Sequence, residues 1–224
     1  MSLRSAFELN GKSRGRTRSG RIASASPASP AKTLETMGVP NSYGRNTVIF
    51  CEGEPAESIY KIESGCVRTH KTLDSGERQM VAFHLPGDCL GLEGREKHAV
   101  SAEATTVSQV RIVKRKTLMA RNGDSLMVRY LLDLTAEELR RAQRHNLLLL
   151  KGAQERVVGF LHEMAEREHA DGEIALHMTR RDIADYLGLT IETVSRTLSR
   201  LESESAISLP TPWRVVLRDS TVLN

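Results

Sequence analysis

Between residues 45 and 114 the apolar positions come in short runs, 48–50, 58–63, 66–73, 78–84, 89–92 and 105–114, separated by GEPAE, ESG, DSGE and LPGD. Runs of this length, broken by Gly, Pro, Asp and Ser, predict strands joined by tight turns, and together they predict a compact antiparallel barrel or roll. Past residue 124 the period changes. Val128, Leu132, Thr135, Leu139, Ala142, Asn146 and Leu149 alternate spacings of four and three, which predicts a long helix with a seam along one side. Such a stripe either pairs two chains or packs as a core helix within one. In a paired seam Asn146 sets register at a cost in stability. Tyr130, Leu131 and Leu134 form a second apolar edge, suited to packing on the strands. After a hinge at Lys151-Gly152, the spacing of Val157, Phe160, Leu161 and Met164 predicts a helix over 153–168.

The run 179–201, TRRDIADYLGLTIETVSRTLSRL, predicts two short helices around a glycine turn. Thr179 is an N-cap with Asp182 as a weak capping-box partner, and Ile183, Ala184 and Leu187 share one face. Gly188 supplies the left-handed stop, and Thr190 caps the second helix with only half a box, because Thr193 stands at its third position. Ile191, Val194, Leu198 and Leu201 form that helix's inner stripe, leaving Glu192, Ser195, Arg196, Ser199 and Arg200 outside. Chemically, an exposed carboxylate accepts from cytosine, an arginine fork donates to guanine O6 and N7, and a serine does either or holds a phosphate. A single Glu192/Arg196 pair reads equally as a surface salt bridge. The two-helix context favours base reading. Beyond it, 207–209 and 214–217 flank Pro210-Thr211-Pro212 as a small wing.

Composition changes this picture in one respect. The chain has 224 residues, 39% of them hydrophobic, enough for one or two cores, and a formal net charge of +4. The basic excess does not belong to the predicted reader. Seven Lys and Arg face one Glu in the first 32 residues, so the rest of the chain is slightly acidic, and a basic tail over 1–40 is expected to be disordered or loosely docked. No run approaches the eighteen apolar residues of a membrane span, and no secretory signal is evident. Cys51, Cys66 and Cys89 form no CxxC pair and suit a reduced, cytoplasmic setting. No HxH, HxxxH or nucleophile motif points to an enzyme.

The segment 179–201 resembles the DNA-binding segment of the Crp/Fnr superfamily of bacterial transcription regulators, and RRDIADYLGLTIETVSR is most similar to its FixK branch. The likeness extends more weakly over about 44–218. It implies an α+β architecture: an antiparallel β-roll like that of cyclic-nucleotide-binding proteins over 41–123, a dimerisation helix over 124–150, and a winged helix-turn-helix over 151–224. It places Glu192, Ser195 and Arg196 on an E-x-x-S-R pattern that reads a TTGAT half-site in an inverted repeat. Thr179, Arg180, Arg181, Thr190 and Arg200 are candidates for phosphate contacts, and Arg214 or Arg218 for further ones. Glycine often stands in the family where this chain has Ser205. The partners implied are double-stranded DNA, a second copy of the chain and RNA polymerase, with no membrane.

The resemblance also frames the question of a ligand. Cyclic AMP binders hold ribose with a Gly-Glu segment and the phosphate with an Arg-Ser pair. Here the region reads GLEGREKHAVSAEA: Glu93 follows Gly91-Leu92, His98-Ala99 stands near the Arg-Ser position, and Glu103 adds negative charge. Arg95 and Lys97 are the remaining cations nearby. The N-terminal thiolates of a cluster-binding Fnr protein are missing, since Cys51 is the first cysteine. Haem would call on His70, His84 or His98 with Cys66 or Cys89. The expectation is a regulator without a bound cofactor, an activator in an oxygen-limitation response. The alternative is an effector-gated regulator whose roll binds haem or a small ligand.

Overall fold

A computed structural model describes residues 29–120, 125–168 and 172–218. Helix α1 (Pro30–Met37) leads into strands β1 (Val39–Tyr43), β2 (Val48–Phe50), β3 (Ser58–Ser64), β4 (Val67–Thr72), β5 (Arg78–His84), β6 (Cys89–Leu90), β7 (Ser101–Ala104) and β8 (Ser108–Lys114). These form two antiparallel four-stranded sheets, ordered β1-β8-β3-β6 and β2-β7-β4-β5. Their inner faces enclose Phe50, Tyr60, Ile62, Val67, Leu90, Ala102 and Val110, while β3 is buried on both faces.

Five elements of this region depart from the sequence reading. The expectation of an unstructured tail over 1–40 is corrected at its end, where Ser29 caps α1, Pro30 occupies the first turn and Leu34 is fully buried. Leu34 and Met37 pack this capped turn on the roll; the basic stretch 1–28 lies outside the described residues. Strand β1 carries Pro40, which an edge strand tolerates, and β1 is the edge of its sheet. Strand β7 is Ser-Ala-Glu-Ala, without large apolar groups, yet Ala102 and Ala104 are fully buried where the sheets approach. The run 105–114 is shortened at its start, with β8 beginning at Ser108. A short helix, α2 (Arg115–Met119), follows β8.

Helix α3 (Ser125–Leu148) uses its two apolar edges differently. Tyr130, Leu131 and Leu134 pack on the roll with Leu34, Ile59, Cys89, Val113, Leu118 and Met127, as the pattern predicts. The other edge faces outward: Val128 is 68% exposed, Leu132 66% and Leu139 59%, and Thr135, Ala142 and Asn146 are exposed with them. Leu149 falls just beyond the helix end and is half-buried.

The chain then turns at Lys151-Gly152 into α4 (Ala153–Glu168), β9 (Glu173–Ala175), α5 (Arg180–Leu187), α6 (Ile191–Ser203), β10 (Ile207–Thr211) and β11 (Arg214–Leu217). Val157, Phe160, Leu161 and Met164 pack against Ile183, Ala184, Leu187, Val194, Leu198 and Leu201. The wing is a three-stranded sheet ordered β10-β11-β9, one strand more than the sequence suggests. This C-terminal core is continuous with Cys66, Met80, Phe83 and Leu85 of the roll. Phe83 meets Tyr186 edge-on at 5.1 Å, and Asp88 pairs at 2.6 Å with both Arg141 of α3 and Arg167 of α4.

Candidate nucleic-acid interface

Local chemistry builds the two-helix unit. Thr179 and Asp182 form a full reciprocal capping box, stronger than the pattern promises: the Asp182 N–H donates to Thr179 Oγ1 at 3.1 Å, and the Thr179 N–H and hydroxyl donate to Asp182 Oδ2 at 2.8 and 2.7 Å. Gly188 ends α5 in the left-handed conformation at φ 60°, and Thr190 caps α6 by accepting from the Thr193 N–H at 3.2 Å. The tight turn between them places α6 across α5 with Val194, Leu198 and Leu201 inward.

That packing determines what α6 presents. Glu192, Ser195 and Arg196 are all exposed, one turn apart on the outer face. The Glu192 carboxyl lies below its ordinary value because its own backbone N–H and the Thr190 hydroxyl donate to it and Arg196 and Arg181 stand nearby. A carboxylate at a helix N-terminus is favoured by the helix dipole as well. The face therefore carries a charged acceptor, a hydroxyl and a guanidinium fork within two turns, the set needed for base edges in a major groove.

The candidate phosphate residues occupy different environments. Arg181, Thr190 and Arg200 are exposed and Thr179 half-buried. Arg200 holds Glu204 at 2.8 Å, an exposed pair that costs little to exchange for a phosphate. Arg180 is half-buried in a groove between α6 and the wing shared with Ser195, Ser199, Leu209 and Pro210. Its Nη1 is buried without a hydrogen-bond partner, and burial pulls the guanidinium below its ordinary pKa. A cation in that position gains from an incoming anion. Arg214 is already paired with Glu173 at 2.5 Å across β11 and β9.

Ser205 follows α6 at φ 60°, with the Ala206 N–H donating to the Leu201 carbonyl at 3.0 Å, a left-handed helix stop normally taken by glycine. Ser205→Gly is expected to raise stability by about 1 kcal/mol, read as an increase in the urea midpoint; an unchanged or lowered midpoint contradicts the strain.

In the roll, several of the residues a ligand would need are engaged with each other, while His98 Nε2 and His70 Nδ1 are buried without a hydrogen-bond partner. His98 Nδ1 lies 2.5 Å from Glu93, its ring stacks on Phe50 at 3.8 Å, and Tyr60 closes the cluster at 5.9 Å. Arg115 donates to the carbonyls of Gly91 and Glu93 at 2.6 Å, closing that loop on itself. His84 is buried beside Thr69, and burial pulls it down to about 4, so it is neutral at pH 7. His70 is buried too, with burial and then Arg78 lowering its pKa. Burial pushes the Cys66 and Cys89 thiols up to about 12, which disfavours the reactive thiolate, whereas Cys51 is exposed. Among the described residues no group of three or more His, Cys, Asp or Glu is arranged to hold a metal ion, and no helix is long and apolar enough to cross a membrane.

Two features escaped sequence reasoning. Arg68 of β4 reaches Asp182 of α5, 114 positions away, so no local pattern could have signalled it. Trp213, at the tip of the wing, lies under the guanidinium of Arg45 at 5.5 Å.

Comparison with known proteins agrees with this architecture. Residues 155–224 match the Crp-like helix-turn-helix domain, and residues 40–120 match the cyclic nucleotide-binding domain. The nitrogen fixation regulation protein FixK of Azorhizobium caulinodans is 46% identical over 209 residues, which cover 90% of this chain and 84% of that protein. The anaerobic regulatory protein of Haemophilus influenzae is 36% identical, over 74% of this chain and 67% of its own. The structure of FixK2 from Bradyrhizobium japonicum superposes with a TM-score of 0.79 at 46% identity, covering 83% of this chain and 95% of that one. With a β-roll, a long helix and a winged helix-turn-helix in this order, the chain belongs to the FixK-like branch of the Crp/Fnr superfamily, a family of DNA-binding transcription regulators and not of enzymes.

Proposed function

We propose that this protein acts in the cytoplasm as a homodimer that reads a TTGAT-type inverted repeat and, once bound, recruits RNA polymerase to activate genes of an oxygen-limitation response, with no bound cofactor. The observation that carries the reading is the exposed trio Glu192, Ser195 and Arg196 on a helix capped and packed for presentation. Arg196 serves the guanine, Glu192 the cytosine amino group or the orientation of Arg196, and Ser195 a base edge or phosphate. Thr179, Arg180, Arg181, Thr190 and Arg200 set affinity and salt dependence through the DNA backbone.

The outward stripe of α3 supports the dimer. An exposed row containing Val128, Leu132 and Leu139 suits a parallel partner helix, with Thr135, Ala142, Asn146 and Leu149 completing the seam. A two-fold axis along this helix presents two α6 helices about one DNA turn apart, which is why the site is an inverted repeat. In this division the roll spans 41–123, the dimerisation helix 124–150 and the DNA-binding domain 151–224.

The contacts of His98 with Glu93 and Phe50, and of Arg115 with the 91–93 backbone, support function without an effector. The names of the relatives, one a nitrogen fixation regulator and one an anaerobic regulator, support the physiological setting. The test is a titration of purified protein, without added ligand, on a TTGAT inverted repeat and on scrambled DNA, with an absorption spectrum of the same sample. Tight repeat-selective binding by a spectrally colourless dimer is expected. A haem or cluster band that tracks with binding overturns the cofactor-free reading.

A further inference from the structure

One contact between roll and reader domain is a buried chain of charges. Arg68 Nη2 lies 3.0 Å from Glu103 Oε1 on the neighbouring strand β7, and Arg68 Nη1 lies 2.5 Å from Asp182 Oδ1. The three side chains are only 14%, 7% and 7% exposed. Arg78 supports Glu103 from β5 at 3.4 Å. Asp182 uses its other oxygen for the capping box of α5, so one carboxylate ties the first turn of the helix-turn-helix to the sheet of the roll.

The position of this chain matters more than its strength. Asp88 fixes the roll to α3 and α4 through Arg141 and Arg167, and Phe83 packs on Tyr186. Arg68 adds a point of attachment at the N-terminal end of α5. Separate attachments of this kind define the orientation of one rigid unit on another, and α6 is packed on α5. The docked reader is open, since Glu192, Ser195 and Arg196 remain exposed while α5 packs on the roll. The contact thus holds the reader available to DNA.

We infer that Arg68 is a positioning residue for DNA recognition: the Glu103–Arg68–Asp182 chain clamps each reader to its roll in the DNA-competent orientation and does so without a ligand. The inference rests on the dimeric reading proposed above and assigns its regulation. Glu103, which opposes a cyclic-nucleotide phosphate by its charge, here anchors the guanidinium that substitutes for an effector's ordering action. Within a dimer the path from the two-fold axis to the bases runs through α3, the roll, Arg68, α5 and α6. Loosening it leaves each head able to read a half-site but widens the range of separations between the two heads. If each head then occupies the correct orientation about a third of the time, affinity for the repeat falls by about tenfold while single half-site affinity stays.

The test compares the parent with Arg68→Met, which keeps the bulk but not the pair, and Asp182→Asn, which retains a capping acceptor but loses the charge. Each is titrated on inverted repeats with optimal spacing and with one or two base pairs added or removed, and on a duplex carrying one half-site. Both variants are expected to bind the optimal repeat about tenfold more weakly, to show a flattened spacing dependence and to keep the parent's half-site affinity, and the double variant to be no worse than Arg68→Met. Amide exchange measured without DNA is expected to quicken in the first turn of α5. A parental spacing profile in Arg68→Met, or equal losses on half-site and repeat, overturns the inference, as does unchanged exchange in α5. A parent that fails to prefer the repeat overturns the DNA-reading proposal instead, and the exchange measurement still decides whether Arg68 holds the reader.

Discussion

Arg196→Ala is expected to weaken binding to the TTGAT repeat by roughly 5- to 150-fold per half-site and to remove most of the preference for guanine at the position it reads. The magnitude is that of one bidentate arginine–guanine contact, about 1–3 kcal/mol. Arg196 is exposed on α6 and plays no part in the core formed by Val194, Leu198 and Leu201, so the loss is one of recognition and the variant should melt like the parent. Arg180→Ala supplies the contrast. Its half-buried guanidinium lies in the groove between α6 and the wing with Nη1 unpartnered, and the role proposed for it is a phosphate contact. It is therefore expected to weaken specific and scrambled DNA alike and to reduce the salt dependence of binding by about one counterion. Competition titrations with single-base variants of the half-site separate the two outcomes; equal losses on every sequence for both variants contradict the assignment.

Leu139→Asp is expected to convert the dimer to a folded monomer and to reduce affinity for the inverted repeat by at least about 100-fold, with single half-site binding preserved. Leu139 is 59% exposed in the single chain, so a carboxylate there is harmless to the subunit fold. In a two-fold seam the same change appears twice and buries two facing carboxylates among apolar groups, a cost of several kcal/mol. Loss of the dimer removes the effective concentration that links the two half-site events, typically worth 10²–10⁴ in avidity. Sedimentation equilibrium with circular dichroism checks the assembly and the fold. A Leu139→Asp protein that remains dimeric places the interface elsewhere.

How much of this was legible in the sequence depends on how local each determinant is. The caps at Thr179 and Thr190, the stop at Gly188 and the inner stripe of α6 are short-range features, and the structure follows them closely. The two apolar edges of α3 were legible for the same reason, because helical spacing reports which faces are apolar. Strand β7 was not, since Ala102 and Ala104 are small residues buried by the fold around them, a condition visible only in three dimensions. Helix α1 was hidden by the basic composition that precedes it, and Leu34 anchors it, fully buried. The link from Arg68 to Asp182 joins residues that no pattern relates, and Asp182 read alone is merely half of a capping box. The strain at Ser205 was legible as a departure from the family's glycine, and its positive φ follows from the left-handed stop after α6.

The overall charge misleads. A net charge of +4 invites a nucleic-acid reading, but the first 32 residues carry more than the whole of it. In the function proposed above, specific recognition rests on a few placed groups, with Thr179, Arg180, Arg181, Thr190 and Arg200 as the phosphate contacts that supply affinity.

The central claim, sequence-specific reading by a ligand-free dimer, is tested most directly by titrating the purified protein against a TTGAT inverted repeat and a scrambled duplex of equal length at several salt concentrations. The predicted result is one dimer per repeat, bound at least about a thousandfold more tightly than scrambled DNA at physiological salt and without any added effector. Equal affinity for the two duplexes at every salt concentration would contradict it.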